Sequence, residues 1–385
     1  MNKKSKIIAT TLIYFVMIIT AITEGLINIF TVPIKNDFHI TDTKLSLMFM
    51  FGTIAYLICN YVGGALCEKI GQKKLFLIGL IGAALTNLLQ AWSPNFTIFL
   101  IAFAIIQGFL GLMSIAANTV IPIIWITGQA IAMNLTHFAY GVGLSASQKL
   151  SGVLMTDGVG WRRIYIGSAI LTIIVFVMFL FIKLPSVKRE KEEEKISLLV
   201  VLQDKLVWFF FIGLGFYIMA EQGTGRWLPT YIKSTYNNMT ESKIASYISI
   251  FFLLLTIGRL IGGFIVEKIG AMKAVKIFSL IGGILFVIGL IVGKNGLYIV
   301  SSAGFFFSIM FPTIVVIISN TFKKNTAYIT GIIIALGSVV NTVLSLLVGV
   351  ISDSMGIKYA VFIMPVSILI TFVFLVLASK VIKSR

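Results

Sequence analysis

The chain has 385 residues, of which 58% are hydrophobic and 12% charged, with a mean hydropathy of +1.02. That balance excludes an ordinary soluble domain and makes lipid the main solvent. The 31 lysines and arginines against 14 acids fall in short clusters between apolar runs, which argues against a nucleic-acid surface and for a role in membrane topology.

A helix crossing a hydrocarbon core of about 30 Å needs roughly 20 apolar residues. Runs of that order fall at 7–30, 45–67, 74–92, 96–120, 123–151 and 163–183, then at 206–232, 243–266, 273–293, 297–320, 326–350 and 359–380. The first follows Lys3, Lys4 and Lys6 as a secretory signal would, but it is too long for a signal core and is read as a span. The fourth and fifth runs abut at Pro122. Fusing them would make a helix more than twice as long as a bilayer needs, so the reading is twelve helices.

With the N-terminus in the cytoplasm, 20 cations fall on inside segments and 8 on outside segments, so both termini are predicted to be cytoplasmic. Cys59 and Cys67 lie eight residues apart on one predicted helix, a rise of about 12 Å, too far to pair with each other. The two histidines, His39 and His137, are distant in sequence, and no metal site or cofactor is expected.

The chain repeats itself. Gly63 to Lys74 reads GGALCEKIGQKK and Gly262 to Lys273 reads GGFIVEKIGAMK, offset by 199 residues. In this signature the glycines Gly64, Gly71, Gly263 and Gly270 suit close helix approach. Glu68 with Lys69, and Glu267 with Lys268, suit a helix end at an anionic inner leaflet. Arg259, eight residues before Glu267, is read as bracing the signature. A weaker echo pairs GVLMTDGVG from Gly152 with GVISDSMG from Gly349. The predicted fold class is therefore an all-α polytopic membrane protein with twelve transmembrane helices in two pseudo-symmetric six-helix bundles. Their bounds are 1–184 and 205–385, joined by a charged cytoplasmic linker at 185–204.

The repeated signature resembles the one between helices two and three of the major facilitator superfamily, and Gly160-Trp161-Arg162 is similar to that superfamily's entry to helix six. Within it, EQGTGRWLPTY from Glu221 and GFFFSIMFPTI from Gly304 resemble helices seven and ten of the fucose:proton symporter family. The resemblance implies a secondary active transporter. That family carries acids in helices one and four for sugar binding and proton coupling. Here Ser114 stands where the helix-four acid is expected, so no helix-four coupling acid carries over.

An ionised side chain at mid-bilayer costs roughly 2.5 to 3.5 kcal/mol, which makes intramembrane acids functional candidates. Two of the acids qualify, Glu24 in the first run and Glu221 in the seventh, 197 residues apart. As symmetry mates they are expected to face one water-filled site and, with His137, to couple a proton or sodium ion. In NLTHFAYGVG, Asn134, His137 and Gly141 share a helix face, with Tyr140 beside them. This grouping suits either hydroxyl recognition or inter-helix hydrogen bonding. Asn28, Asn118 and Gln222 extend the polar lining, while Tyr217 and Trp227 offer aromatic faces to a sugar. Trp227 has an alternative reading as an interfacial anchor. Lys149 is expected to snorkel, and Arg226 is expected to pair with Glu221 or with lipid headgroups.

The functional expectation is cation-coupled, most simply proton-coupled, symport of a sugar or similar polar solute by alternating access. The expected setting is the cell inner (plasma) membrane, and the expected state a monomer whose partners are solute, coupling ion and bilayer. The alternative is a proton-coupled exporter of drugs or metabolites. Against it, Ala104 precedes Gln107-Gly108 where such exporters carry arginine, and the fifth run lacks their Gly-Pro signature. No GxxxxGK[ST] loop suggests an ATP-driven pump, and no constellation suggests an enzyme.

Overall fold

In hydrocarbon no water satisfies the backbone, so an apolar run must close its own hydrogen bonds as helix. A computed structural model describes residues 3–125, 129–185, 197–236 and 238–384, with the side chains at 68, 129–131, 134 and 327 outside that description. The first half contains α1 (Lys3–Asp37), α2 (Asp42–Ile70), α3 (Gln72–Trp92), α4 (Phe96–Ile124), α5 (Gln129–Thr156) and α6 (Trp161–Leu180). The rest contains a short α7 (Leu198–Leu202), then α8 (Lys205–Thr235), α9 (Glu241–Ile269) and α10 (Ala271–Val292). After these come α11 (Leu297–Phe307), α12 (Met310–Thr321), α13 (Thr326–Met355), a short α14 (Ile357–Ala360) and α15 (Ile363–Ser384).

Among the described residues, 10 helical stretches are long and apolar enough to cross a membrane. One of them, Ala271–Thr321, contains both α10 and the α11–α12 pair and so supplies two crossings. With α5 the spans number twelve, and the protein is a multi-pass membrane protein.

Two of the differences from the sequence reading fall at prolines. Pro122 lies inside α4, which runs on to Ile124 and ends where the Trp125 N–H bonds the Ile121 carbonyl at 3.1 Å. One missing donor does not stop a helix held by its neighbours, so residues 123 and 124 belong to the fourth span and not to the fifth, which is described from Gln129. The tenth run instead breaks between Phe307 and Met310. The ring of Pro312 conflicts with the carbonyl four residues earlier, at Ser308, and the Ser308 hydroxyl turns back to the Phe305 carbonyl at 2.6 Å.

The chain forms two compact units, Met1–Glu190 with Asn238–Ser249, and Lys191–Asn237 with Ile250–Arg385. Of the linker expected at 185–204, residues 186–196 lie outside the described residues, and α7 occupies part of the remainder.

In the first unit, Ile13, Val16, Leu75, Phe76, Leu80, Met113, Val120 and Phe179 form a shared core. Close approach of α1 and α5 depends on Gly143, where a Cβ would stand 2.6 Å from the Ile18 carbonyl. Trp161 and Arg162 of the Gly-Trp-Arg motif anchor the far end. The Arg162 guanidinium lies 4.2 Å from the Trp161 ring, bonds the Ser93 carbonyl at 3.2 Å and pairs with Asp37. Lys149, expected to snorkel, donates to Ser246 Oγ at 2.7 Å and Ser242 Oγ at 3.2 Å within this unit. In the second unit α8 and α13 cross at glycines, since a Cβ on Gly215 would stand 2.6 Å from the Gly337 carbonyl. The Thr371 hydroxyl ties α15 to the Gly213 carbonyl of α8 at 2.9 Å.

The repeat is visible in backbone angles. Gly71 has φ 82° and ψ 153°, and Gly270 has φ 86° and ψ 140°, a region that side chains disfavour. Each donates its N–H to the last turn of the preceding helix, at Cys67 and Val266. Gly158 and Gly356, from the weaker echo, also share positive φ. The close packing expected of Gly64 and Gly263 falls one residue earlier. A Cβ on Gly63 would meet Ile115 at 2.7 Å and one on Gly262 would collide with Ile309, whereas Gly64 and Gly263 have open space among the described residues. Glu267, Lys69 and Lys268 are exposed, and the Glu68 side chain lies outside the described residues.

Candidate functional site

The first unit builds a polar cluster around Glu24. Small residues set it up: a Cβ on Gly25 would stand 3.2 Å from the Leu144 carbonyl, so α1 lies close enough to α5 for the Tyr140 hydroxyl to donate to Glu24 Oε2. On the α2 side, a Cβ on Gly111 would stand 2.6 Å from the Tyr56 carbonyl. That approach brings Tyr56 beside Ser114 and Asn60, within the field of Glu24. Asn60 Nδ2 also donates to the Gly111 carbonyl at 3.3 Å. Among the described residues no cation pairs with Glu24.

Asn28 is buried a turn beyond Glu24. Asn118, a turn beyond Ser114, is half-buried with Oδ1 lacking a hydrogen-bond partner. His137 is exposed on α5, and the Asn134 side chain lies outside the described residues. A separate cavity of about 330 Å³ between α2 and α4 is lined by Ala55, Cys59, Ala104, Ile105, Gly108, Phe109 and Leu112. Its walls carry no carboxyl, so it is not part of this cluster.

The second unit treats its carboxyl differently. Tyr217 lies four residues before Glu221 on α8, hence on the same face, and its hydroxyl donates to Glu221 Oε2. The Phe307 carbonyl is also 3.1 Å away. One hydroxyl proton cannot serve both, and the charged acceptor is the stronger. From α9, Arg259 Nη2 approaches Glu221 Oε1 at 3.5 Å, with side-chain exposures of 26% and 20%. The cation beside Glu221 is thus Arg259, which the sequence reading assigns to bracing the signature, whereas that reading gives Arg226 either Glu221 or lipid headgroups as partner. Next along α8, Gln222 Oε1 accepts from Asn341 Nδ2 of α13 at 3.3 Å. Tyr217 and Trp227, expected to offer ring faces, are buried at 1% and 0% exposure. Tyr217 contributes its hydroxyl instead.

Sequence reasoning missed Tyr56, Asn60 and Asn341. The polar positions Ser338, Asn341 and Ser345 on α13, all buried, follow helical spacing and would have flagged Asn341. Nothing local marks Tyr56, because its role depends on the crossing of α2 and α4.

Two compact helical units, holding the intramembrane carboxyls of Glu24 and Glu221, define a two-bundle membrane protein. The family model described as Major Facilitator Superfamily matches residues 13–331. The chain belongs to that superfamily, whose members are transporters and not enzymes.

The chain is 26% identical over 361 residues to a glucose/galactose transporter of Brucella abortus, covering 86% of this chain and 84% of that protein. It is 22% identical over 400 residues to the L-fucose-proton symporter of Escherichia coli, covering 92% and 89%. Among solved structures, the Escherichia coli fucose:proton symporter FucP matches with a TM-score of 0.67 at 20% identity, covering 97% of this chain and 99% of that one. A bacterial homologue of the human lysosomal transporter Spinster matches with a TM-score of 0.79 at 14% identity, covering 99% and 96%. These likenesses show the fold.

Proposed function

We propose that the protein is a secondary active symporter that takes up a sugar or similar polar solute with a proton, its two units alternating access to the site. The observation that carries this reading is the Glu24 cluster, an intramembrane carboxyl bonded to Tyr140 with no cation beside it among the described residues. What neutralises such a group during a transport cycle must come from solution. Glu221 already has Arg259 as counter-charge, so the coupling role falls to Glu24 and not to the pair jointly. The named relatives, a glucose/galactose transporter and a fucose-proton symporter, support a sugar as solute and a proton as ion. Asn118, Gln222 and, on α5, Asn134 and His137 are the proposed solute contacts. The cation count supports both termini lying in the cytoplasm, and the proposed form is a monomer in the plasma membrane.

The test is uptake by purified protein in liposomes, with labelled glucose, galactose and fucose and an inwardly directed proton gradient. Accumulation of at least one sugar above equilibrium is expected. Failure of every sugar, with gradient-driven extrusion of lipophilic cations instead, would overturn the reading in favour of an exporter.

A further inference from the structure

The α8 turn at 221–222 holds two unfinished hydrogen-bonding groups. Arg259 carries five N–H donors in a planar fork, yet its contact with Glu221 is a single long one at 3.5 Å, and its buried Nε has no partner. Asn341 is 2% exposed, spends its amide N–H on Gln222, and leaves Oδ1 buried without a partner. A buried polar atom left unpaired costs about 1 to 3 kcal/mol, so such atoms mark where a ligand or water completes the structure. Arg259 approaches from α9 and Asn341 from α13, against consecutive residues of α8. Both groups therefore lie beside the same turn of α8.

The charges narrow the ligand further. Arg259 alone would attract carboxylates and phosphates, which match its fork. Glu221 cancels that attraction and repels an acid placed beside it. A donor fork, an acceptor and zero net charge fit a neutral polyol, whose hydroxyls both accept and donate.

Resting on the sugar reading above, we propose that Arg259 and Asn341 read the solute's hydroxyls, and that Glu221 restricts the site to uncharged sugars by neutralising Arg259. Glu221 is then a selectivity residue, a role separate from ion coupling.

Binding to purified, detergent-solubilised protein tests this without a gradient, by titration calorimetry with glucose, galactose, glucuronate and galacturonate. Wild type is expected to bind a hexose and to reject the matching hexuronate. Glu221→Gln, which keeps the size of the side chain, is expected to tighten hexuronate binding by about tenfold or more, the scale of one charge-assisted hydrogen bond. Adding Arg259→Gln is expected to abolish that gain. Asn341→Leu, or the milder Asn341→Ser should leucine prevent folding, is expected to weaken hexose binding about tenfold. A hexose-binding protein in which Glu221→Gln gains no hexuronate affinity would overturn this proposal and leave the sugar reading standing. A wild type that binds no hexose would overturn both.

Discussion

Glu24 and Glu221 occupy matching places in the two halves, yet their surroundings differ in the one respect that decides how a membrane carboxyl behaves. The 199-residue offset that aligns the EKIG segments carries Arg259 onto Asn60. Where the second unit sets a guanidinium against its glutamate, the first has an amide that donates to the Gly111 carbonyl. The hydroxyl partner differs as well: Tyr217 comes from the glutamate's own helix, Tyr140 from the neighbouring α5. The two carboxyls, 197 residues apart, thus differ in that Glu221 has a counter-charge and Glu24 has none among the described residues.

The largest effect that would break this comparison is on accumulation. Glu24→Gln is expected to abolish gradient-driven sugar accumulation in liposomes while sugar exchange at equal pH continues; undiminished accumulation would return the coupling role to Glu221 or His137. Arg259→Ala leaves Glu221 uncompensated; losing one partner of a fully buried pair costs about 3 to 5 kcal/mol, and this half-buried pair is expected to cost less. A clear drop in the thermal midpoint in detergent is therefore expected, recovered in large part by combining it with Glu221→Gln. No recovery would mean that Arg259 acts through packing instead of charge.

Tyr140→Phe removes one hydrogen bond to a charged group, worth about 1.5 to 3 kcal/mol. It is expected to slow coupled uptake more than exchange, and an equal effect on both would assign Tyr140 to the solute. The smallest contrast lies in the repeat itself. Gly71→Ala and Gly270→Ala each place a side chain in disfavoured backbone geometry, at about 1 to 3 kcal/mol. Equal losses of thermal stability are expected from the two, since their angles match, and unequal losses would show that the two signatures carry different loads.

Much of this was legible in the amino-acid string because bilayer physics is strict. Twelve apolar runs become twelve spans, and the EKIG glycines recur because the backbone needs the same unusual angles twice. Glu24 and Glu221 stood out because acids within apolar runs are expensive. Helix ends were less legible: Pro122 is carried through by α4 while Pro312 breaks the tenth run, and surrounding packing decides between those outcomes. Tyr217, four residues before Glu221, has the spacing of a partner on the same helix face, a geometry its aromatic ring masks in the amino-acid string. The Arg259 pairing was not readable, because it joins residues 38 positions apart across two helices. Tyr140 was picked out for solute recognition, and only the α1–α5 crossing at Gly25 and Gly143 shows its hydroxyl on Glu24.

The central claim is that Glu24 carries the coupled proton. Its most direct test is proton movement on adding sugar to de-energised vesicles, followed with a pH-sensitive dye. Wild type is expected to draw protons inward with the sugar and alkalinise the medium, Glu24→Gln is expected to give no signal, and a wild-type signal from Glu24→Gln would contradict the account.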